Sequence, residues 1–450
     1  MPLRDIAVTG IVLALLPVIL MHPYVGVLTW TWLGFMNPHR LSWGFAFDMQ
    51  FALLVALATL VGLLLTREPK RIPWTRETIT LAVFTGWMVF TTFFAFYPAL
   101  AWPQLEKVLK IQVMIFVALM VMQREDRLRW LVWTIALSIG FYGVKGGIFT
   151  ITTGGGFHVR GPAGTFIGGD NEMGLALVMT IPLLRYCQLS VTSKLLKGAF
   201  GVAILLTAIA AVGSQSRGAF LALAAMGAFL WLKSRHKFLT GMLIILAAVP
   251  IALVMPQAWY DRIASIQNYE EDASALGRIS AWKMAINLAK DRATGGGFET
   301  FRYDTFAIYS PDTGRVHDAH SIYFEVLGEH GFIGLALFLA LGIMTWFTAS
   351  WVVRRARGSP ETRWLADVAG MAQVSLVGYA AGGAFLGLAY FDFFYNLVAI
   401  VVIAKVLMLR RMNEARTADA KAPEPTSDAR GRPLPQPLQA RQAGTLRRGT

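Results

Sequence analysis

The sequence predicts an all-α polytopic membrane protein of about twelve transmembrane helices, with one large loop containing short helices. Three observations predict it. Of 450 residues, 55% are hydrophobic and only 15% are charged, where soluble globular proteins carry about 25% charged residues. Apolar runs of near-spanning length recur along the chain, separated by short polar stretches. The longest polar interruption, 255–331, lies between two such runs and holds His317, His320 and His330, three of the seven histidines. Long ordered loops usually carry function.

A span needs roughly 20 apolar residues, fewer where flanking side chains snorkel. The runs are 5–36, 49–65, 78–96, 107–122, 131–150, 173–189, 198–213, 219–232, 238–254, 332–353, 365–388 and 392–409. The first reads as one crossing, interrupted near His22-Pro23 because proline breaks a helix, with 24–36 as a re-entrant second half. Residues 6–21 lack a small-x-small cleavage site and read as a retained helix rather than a signal peptide. Four regions follow: 1–254 with spans one to nine, the loop 255–331, 332–411 with spans ten to twelve, and 412–450. The last is rich in Pro, Arg, Ala, Gln and Thr without periodicity and is expected to be a disordered tail. Cys187, the single cysteine, excludes an internal disulfide and reads as a buried, inert thiol.

Charge gives the orientation. Loops 66–77, 123–130, 190–197, 233–237 and 354–364 gather lysine and arginine, and with twelve crossings all fall on one side. That side is the cytoplasm by the positive-inside rule, and both termini are expected there. The net charge of +14 is distributed in this pattern, which argues against nucleic acid as a partner. The opposite side nevertheless carries Arg160, Arg217, Arg262, Arg278, Arg292, Arg302 and Arg315. Arginine in excess on that side points to an anionic ligand, and its planar fork suits phosphate.

Five stretches could carry chemistry. Ser214-Gln215-Ser216-Arg217-Gly218-Ala219 is a polar knot between two spans; Ser216 is placed to cap the next helix, whose free N–H groups and Arg217 would hold an anion. The alternative is a plain turn with Arg217 snorkelling to headgroups. Gly277–Trp282 opens an amphipathic helix with Ile279, Trp282, Ile286 and Ala289 on one face, which would lie in the membrane interface with Trp282 as anchor or cover the protein core; Arg278, in a first turn where a cation opposes the dipole, is either a ligand-binding or an ordinary surface arginine. Gly295-Gly296-Gly297 matches neither nucleotide-binding glycine pattern and reads as a flexible turn.

His317 and His320 would share a face if helical. They could ligate a metal with Asp318, Glu325 or Asp304, supply a general base, or simply pack against Tyr323 and Phe324. In the loop before the sixth span, Arg160 joins the cation excess and Asn171 is placed to cap the next helix; Lys145 lies near the outer end of its own span.

Taken together, Ser-Arg-Gly-Ala at 216–219, Arg-x-x-x-Trp at 278–282, Gly-x-Gly at 295–297 and His-Ser-x-x-x-Glu-x-x-x-Glu-x-Gly-x-x-Gly at 320–334 resemble the O-antigen ligase and polymerase superfamily. Within it, Val316–Gly334 with Asp291–Phe301 is most similar to the exosortase-associated O-glycosylation ligases. The resemblance implies a GT-C-like, metal-independent, inverting glycosyltransferase of the bacterial inner membrane that needs no cofactor. It would take a glycan from undecaprenyl pyrophosphate on the periplasmic face and pass it to the lipid A–core oligosaccharide. By matched position, Arg217 and Arg278, assisted by Arg160, would hold the pyrophosphate and His320 would activate the acceptor hydroxyl. His317, Lys145, Asn171, Ser216 and Tyr323 are supporting candidates. Many relatives have His-Asn where this chain has His320-Ser321, so an orienting amide is absent here. A polymerase or protein O-glycosyltransferase of the same superfamily remains open, as does a twelve-span secondary transporter.

Overall fold

The computed structural model describes residues 3–234, 236–257, 260, 273–310 and 316–421. Every apolar run named above is helical, because a chain in hydrocarbon must satisfy its N–H and C=O groups internally. Among the described residues there are fifteen α-helices and no strand. They are α1 (Leu3–Met21), α2 (Pro23–Met36), α3 (Phe51–Leu65), α4 (Arg76–Thr92) and α5 (Pro98–Val121). Then come α6 (Glu125–Thr152), α7 (Asp170–Ser190), α8 (Lys194–Gly213), α9 (Arg217–Lys233) and α10 (Lys237–Val254). Two helices, α11 (Ala273–Asp291) and α12 (Tyr303–Tyr309), occupy the large loop, and α13 (Ile322–Ala356), α14 (Arg363–Gly383) and α15 (Asp392–Lys421) complete the chain. Six of them, α1, α6, α7, α8, α13 and α15, are long and apolar enough to cross a membrane. The protein is thus an all-helical polytopic membrane protein.

The chain divides into two units, Met1–Met408 and Leu409–Thr450. In the second, the helix continues to Lys421, so the expected tail is helical over its first ten residues; 422–450 lie outside the described residues.

The break expected near His22-Pro23 within 5–36 is present, between α1 and α2. Pro23 does not kink a continuing helix; it stands at the first position of a new one, and the chain reverses at His22. The Arg4 guanidinium donates to Leu41 O (3.1 Å), and Asp5 Oδ1 accepts the Ala46 N–H (2.8 Å). The start of α1 and the segment after α2 therefore sit at one end of the bundle. α3 packs on this hairpin through glycines: a Cβ on Gly26 would meet Thr59 Oγ1 at 2.0 Å, and one on Gly62 would meet Ile19 O at 2.6 Å. The first residues consequently lie at the end opposite the 66–75 loop, whereas Lys405 of α15 reaches Glu77 beside that loop (3.5 Å). Proline marks where a helix stops, not which way the chain then goes.

The cation-rich loops do gather at one end. There Arg127 makes two bonds to Glu68 (2.6 and 2.7 Å), donates to Val121 O (2.8 Å) and lies over the Tyr24 ring (4.3 Å). Buried Glu77 is held by Arg76 (2.9 Å), Thr348 and Lys405. The bond from Arg127 holds the Glu68 carboxyl below its ordinary value, against the opposing effect of burial. A depressed carboxylate contributes stability above the ordinary carboxylate range and loses it as the pH falls through the lowered value. Arg127→Ala should therefore cost roughly 2 kcal/mol, between an exposed and a buried pair. In thermal unfolding the gap between wild type and variant should shrink as the buffer is acidified below the carboxylate range.

Candidate active site

The site is built on a break in a helix. α13 is two helical pieces joined at Gly331, whose φ of 67° and ψ of −171° no helix allows. A break in an apolar environment frees carbonyls that must find other donors. Gly296 N–H donates to Gly328 O and Gly297 N–H to Glu329 O (both 2.9 Å), while the Trp87 indole donates to His330 O (2.9 Å). Gly295 and Gly297 adopt positive φ (63° and 77°), and a Cβ on Gly295 would meet Gly328 O at 2.6 Å. The run expected to be a flexible turn is a clamp. The first piece of α13, Ile322–His330, also precedes the start expected at 332.

Two carboxylates on that first piece hold the neighbouring loops. Glu329, 5% exposed, accepts the Glu299 N–H (2.8 Å) and the Tyr390 hydroxyl (2.6 Å). Glu325, one turn earlier, accepts the Ala389 N–H (3.0 Å). Their spacing, four residues apart on one helical face, was the signal available in the sequence for this pair.

α11 starts at Ala273, so Arg278 lies in its second turn rather than its first. Its buried stripe is Ala281, Met284 and Leu288, packed with Phe306, while Ile279, Trp282 and Ile286 are only half-buried. Trp282 is not an interfacial anchor: it stacks on Phe324 (ring centroids 4.8 Å apart) and donates to Ala319 O (2.9 Å). This ties α11 to the histidine loop. His317 lies against Gly277, where a Cβ would meet its Cδ2 at 2.3 Å, and so borders Arg278.

His317 and His320 are not helical, so they do not share a helix face. His320 has φ +42°, one of four non-glycine residues with positive φ among those described. Such backbone costs on the order of 1–3 kcal/mol and persists where its surroundings impose it. Burial holds the half-buried imidazole below its ordinary value of 6.5; Asp318 opposes this, and Arg278 and His317 add to it. Among the described residues, no three His, Cys, Asp or Glu side chains converge as a metal-ligand set.

The turn after α14 brings the other parts in. Gly218 packs by Gly382 O (3.5 Å from an added Cβ), Gly383 receives Ile322 (2.6 Å), and Gly387 lies by Asp318 Oδ2 (3.3 Å). The start of α9, with Arg217, and the His320 loop thus flank one turn. Ser216 caps α9 by accepting the Ala219 N–H (3.2 Å), as its position predicts. Arg160 is exposed on a loop fastened to the end of α8 by Val159 N–H to Gly213 O (3.0 Å).

Other candidates fall elsewhere. Asn171 is not a cap: Gly169 holds that position without a side-chain bond, and Asn171 is the second helical residue. Lys145 is exposed on α6, whose Gly143, Gly146 and Gly147 are the residues packed on neighbouring segments. Tyr323 donates to Ala380 O (2.9 Å) and, with Ile322, Leu339, Trp346, Leu376 and Tyr379, lines an apolar cavity of about 380 Å³. Of the other surplus cations, Arg292 donates to Phe94 O (2.8 Å) and Arg302 to Glu299 (2.7 Å). Arg262 and Arg315 lie outside the described residues. The pair His158–Asp170, Nδ1 to Oδ2 at 2.6 Å, was not foreseen; twelve residues separate its members and no local pattern links them.

Residues 202–339 match the family model described as O-antigen ligase, and residues 3–191 match that of a family of unknown function. The first match spans Arg217, Arg278, His317 and His320 and places that stretch in the O-antigen ligase superfamily. No curated protein matches the chain.

If neutral His320 accepts a proton, a lowered pKa keeps it competent in acid. The acid limb of kcat/KM should lie below pH 6.5. His317→Ala, by removing a side chain that adds to the lowering, should move that limb up, and Asp318→Asn, by removing the group that opposes it, should move it further down. A pH–rate series on the three proteins checks both directions.

Proposed function

We propose that the protein is an O-antigen ligase that transfers a glycan from undecaprenyl pyrophosphate to the lipid A–core oligosaccharide, by inversion and without a metal or cofactor. The observation that carries this reading is the assembly of Arg278, His317 and His320 across α11 and the histidine loop, with the start of α9 and Arg217 on the same 382–387 turn. An arginine group suits a pyrophosphate, and a neutral imidazole suits a hydroxyl nucleophile.

The chemistry needs little more. The acceptor oxygen attacks the anomeric carbon from the face opposite the phosphate; its bond to carbon forms as the carbon–oxygen bond to the pyrophosphate breaks. His320 takes the acceptor proton, and the electron pair leaves with the pyrophosphate, whose growing charge Arg217, Arg278 and Arg160 offset. The apolar cavity beginning at Tyr323 is suited to the polyprenyl chain. Counting the cation-rich loops as cytoplasmic puts the site on the periplasmic face of the inner membrane.

The test is transfer by the full chain, purified in detergent with EDTA, from undecaprenyl-pyrophosphate glycan to lipid A–core. Product should form, and His320→Ala should lower its rate about 10²–10⁴-fold; Arg217→Ala should abolish it with expression intact. Normal activity in either variant would remove that residue from the mechanism. Longer polyprenyl-linked chains in place of product would make the protein a polymerase, and flux of labelled substrate without covalent change would make it a transporter.

A further inference from the structure

One pair, reaching from the loop of Arg160 to the start of α7, is unused by this chemistry. His158 Nδ1 and Asp170 Oδ2 lie 2.6 Å apart, the side chains 27% and 22% exposed. The other Asp170 oxygen accepts the Asn171 N–H (3.0 Å). Both members are fixed: the His158 loop by Val159 to Gly213, and Asp170 as the first residue of α7.

The pair leads into the site from two directions. α7 packs through Gly174 on Ser214 and Ala219, the two sides of the knot that carries Arg217. Glu172 lies within electrostatic reach of Asp170 and of Asp318, and Asp318 within reach of His320. Ser321, next to His320, is fully buried, and its Oγ has no hydrogen-bond partner among the described residues. An imidazole held at one nitrogen by a carboxylate offers the other to a ligand, which is how a histidine is set to meet a hydroxyl. Carboxylates beside it accept charge-assisted bonds from hydroxyls and repel phosphate. Several acceptors in one corner suit the many hydroxyls of a sugar better than the single hydroxyl of a protein side chain.

We propose that His158 and Asp170, with Glu172 and Asp318 beside them, form the acceptor subsite, and that it selects an uncharged glycan over a phosphorylated one. This rests on the transferase reading for its purpose but not for its binding. The experiment therefore has two readouts on the full chain in detergent. The first is binding of a neutral disaccharide glycoside and of its phosphorylated analogue, by saturation-transfer NMR and titration without donor. The neutral glycoside should bind more tightly. His158→Gln and Asp170→Asn should each weaken it on the order of tenfold, as expected for losing a bond to a charged group, and Asp170→Asn should narrow the discrimination.

The second readout is transfer. The acceptor KM should rise by a similar factor, with the KM for the polyprenyl-pyrophosphate donor held within about twofold. Equal or tighter binding of the phosphorylated analogue would overturn the proposal. So would a rise in donor KM alone, a hydroxyl peptide preferred to the glycoside, or no effect of either variant. Binding of the neutral glycoside that depends on Asp170, with no transfer by the wild type, would sustain the subsite and overturn the transferase reading instead. His158→Gln keeps the test decisive if Asp170→Asn does not fold.

Discussion

The arrangement depends on backbone groups that cannot be left unpaired. At Gly331 the helix that enters the bundle stops and restarts, and the carbonyls of Gly328, Glu329 and His330 lose their helical donors. In water the cost would be small; in an apolar bundle each orphan costs several kcal/mol. The 295–297 glycines and the Trp87 indole answer that demand, and they do so by drawing the large loop and α4 onto the helix. Only glycine can approach so closely with positive φ. The polar loop is therefore held as a rigid wall, and the residues that follow it in space, from Glu299 to Tyr390, inherit their places through Glu329.

On this wall charge is sorted. Arg278, His317 and His320 stand together across the Trp282–Ala319 bond with Asp318 beside them, while Asp170 and Glu172 lie at the start of α7. The transfer proposed above would use such an arrangement, with arginine where charge would develop on a leaving group and hydrogen-bond acceptors where hydroxyls would dock. His320 lies between the two influences, with Asp318 favouring its protonated form and burial, Arg278 and His317 opposing it. The apolar cavity lined by Tyr323 adjoins the start of α13, just after the histidine loop, so the donor proposed above would find polar and apolar places side by side.

Much of this was legible along the chain. Apolar length located each helix, because in hydrocarbon a helix is the local answer to backbone polarity. Ser216 declared its cap by position, and lysine and arginine marked the end at which they gather. The stripe of α11 was misplaced because Trp282 looked like a membrane anchor, yet its indole had a carbonyl to reach in a loop 37 residues away. Asn171 was misread as a cap because the helix begins two residues sooner than its amide suggested.

What the sequence determined by itself is the class: a helical membrane protein with a cation-bearing polar loop and a histidine motif, all set by composition and local chemistry. Tertiary structure alone decided the rest. It chose that the chain reverses at Pro23, since a helix stop carries no direction until Asp5 finds Ala46 and Gly26 meets α3. It paired His158 with Asp170 and brought Glu329 to Tyr390, contacts between residues 12 and 61 positions apart. Such pairings follow from which surfaces pack, and packing is a property of the whole bundle rather than of any window along the chain.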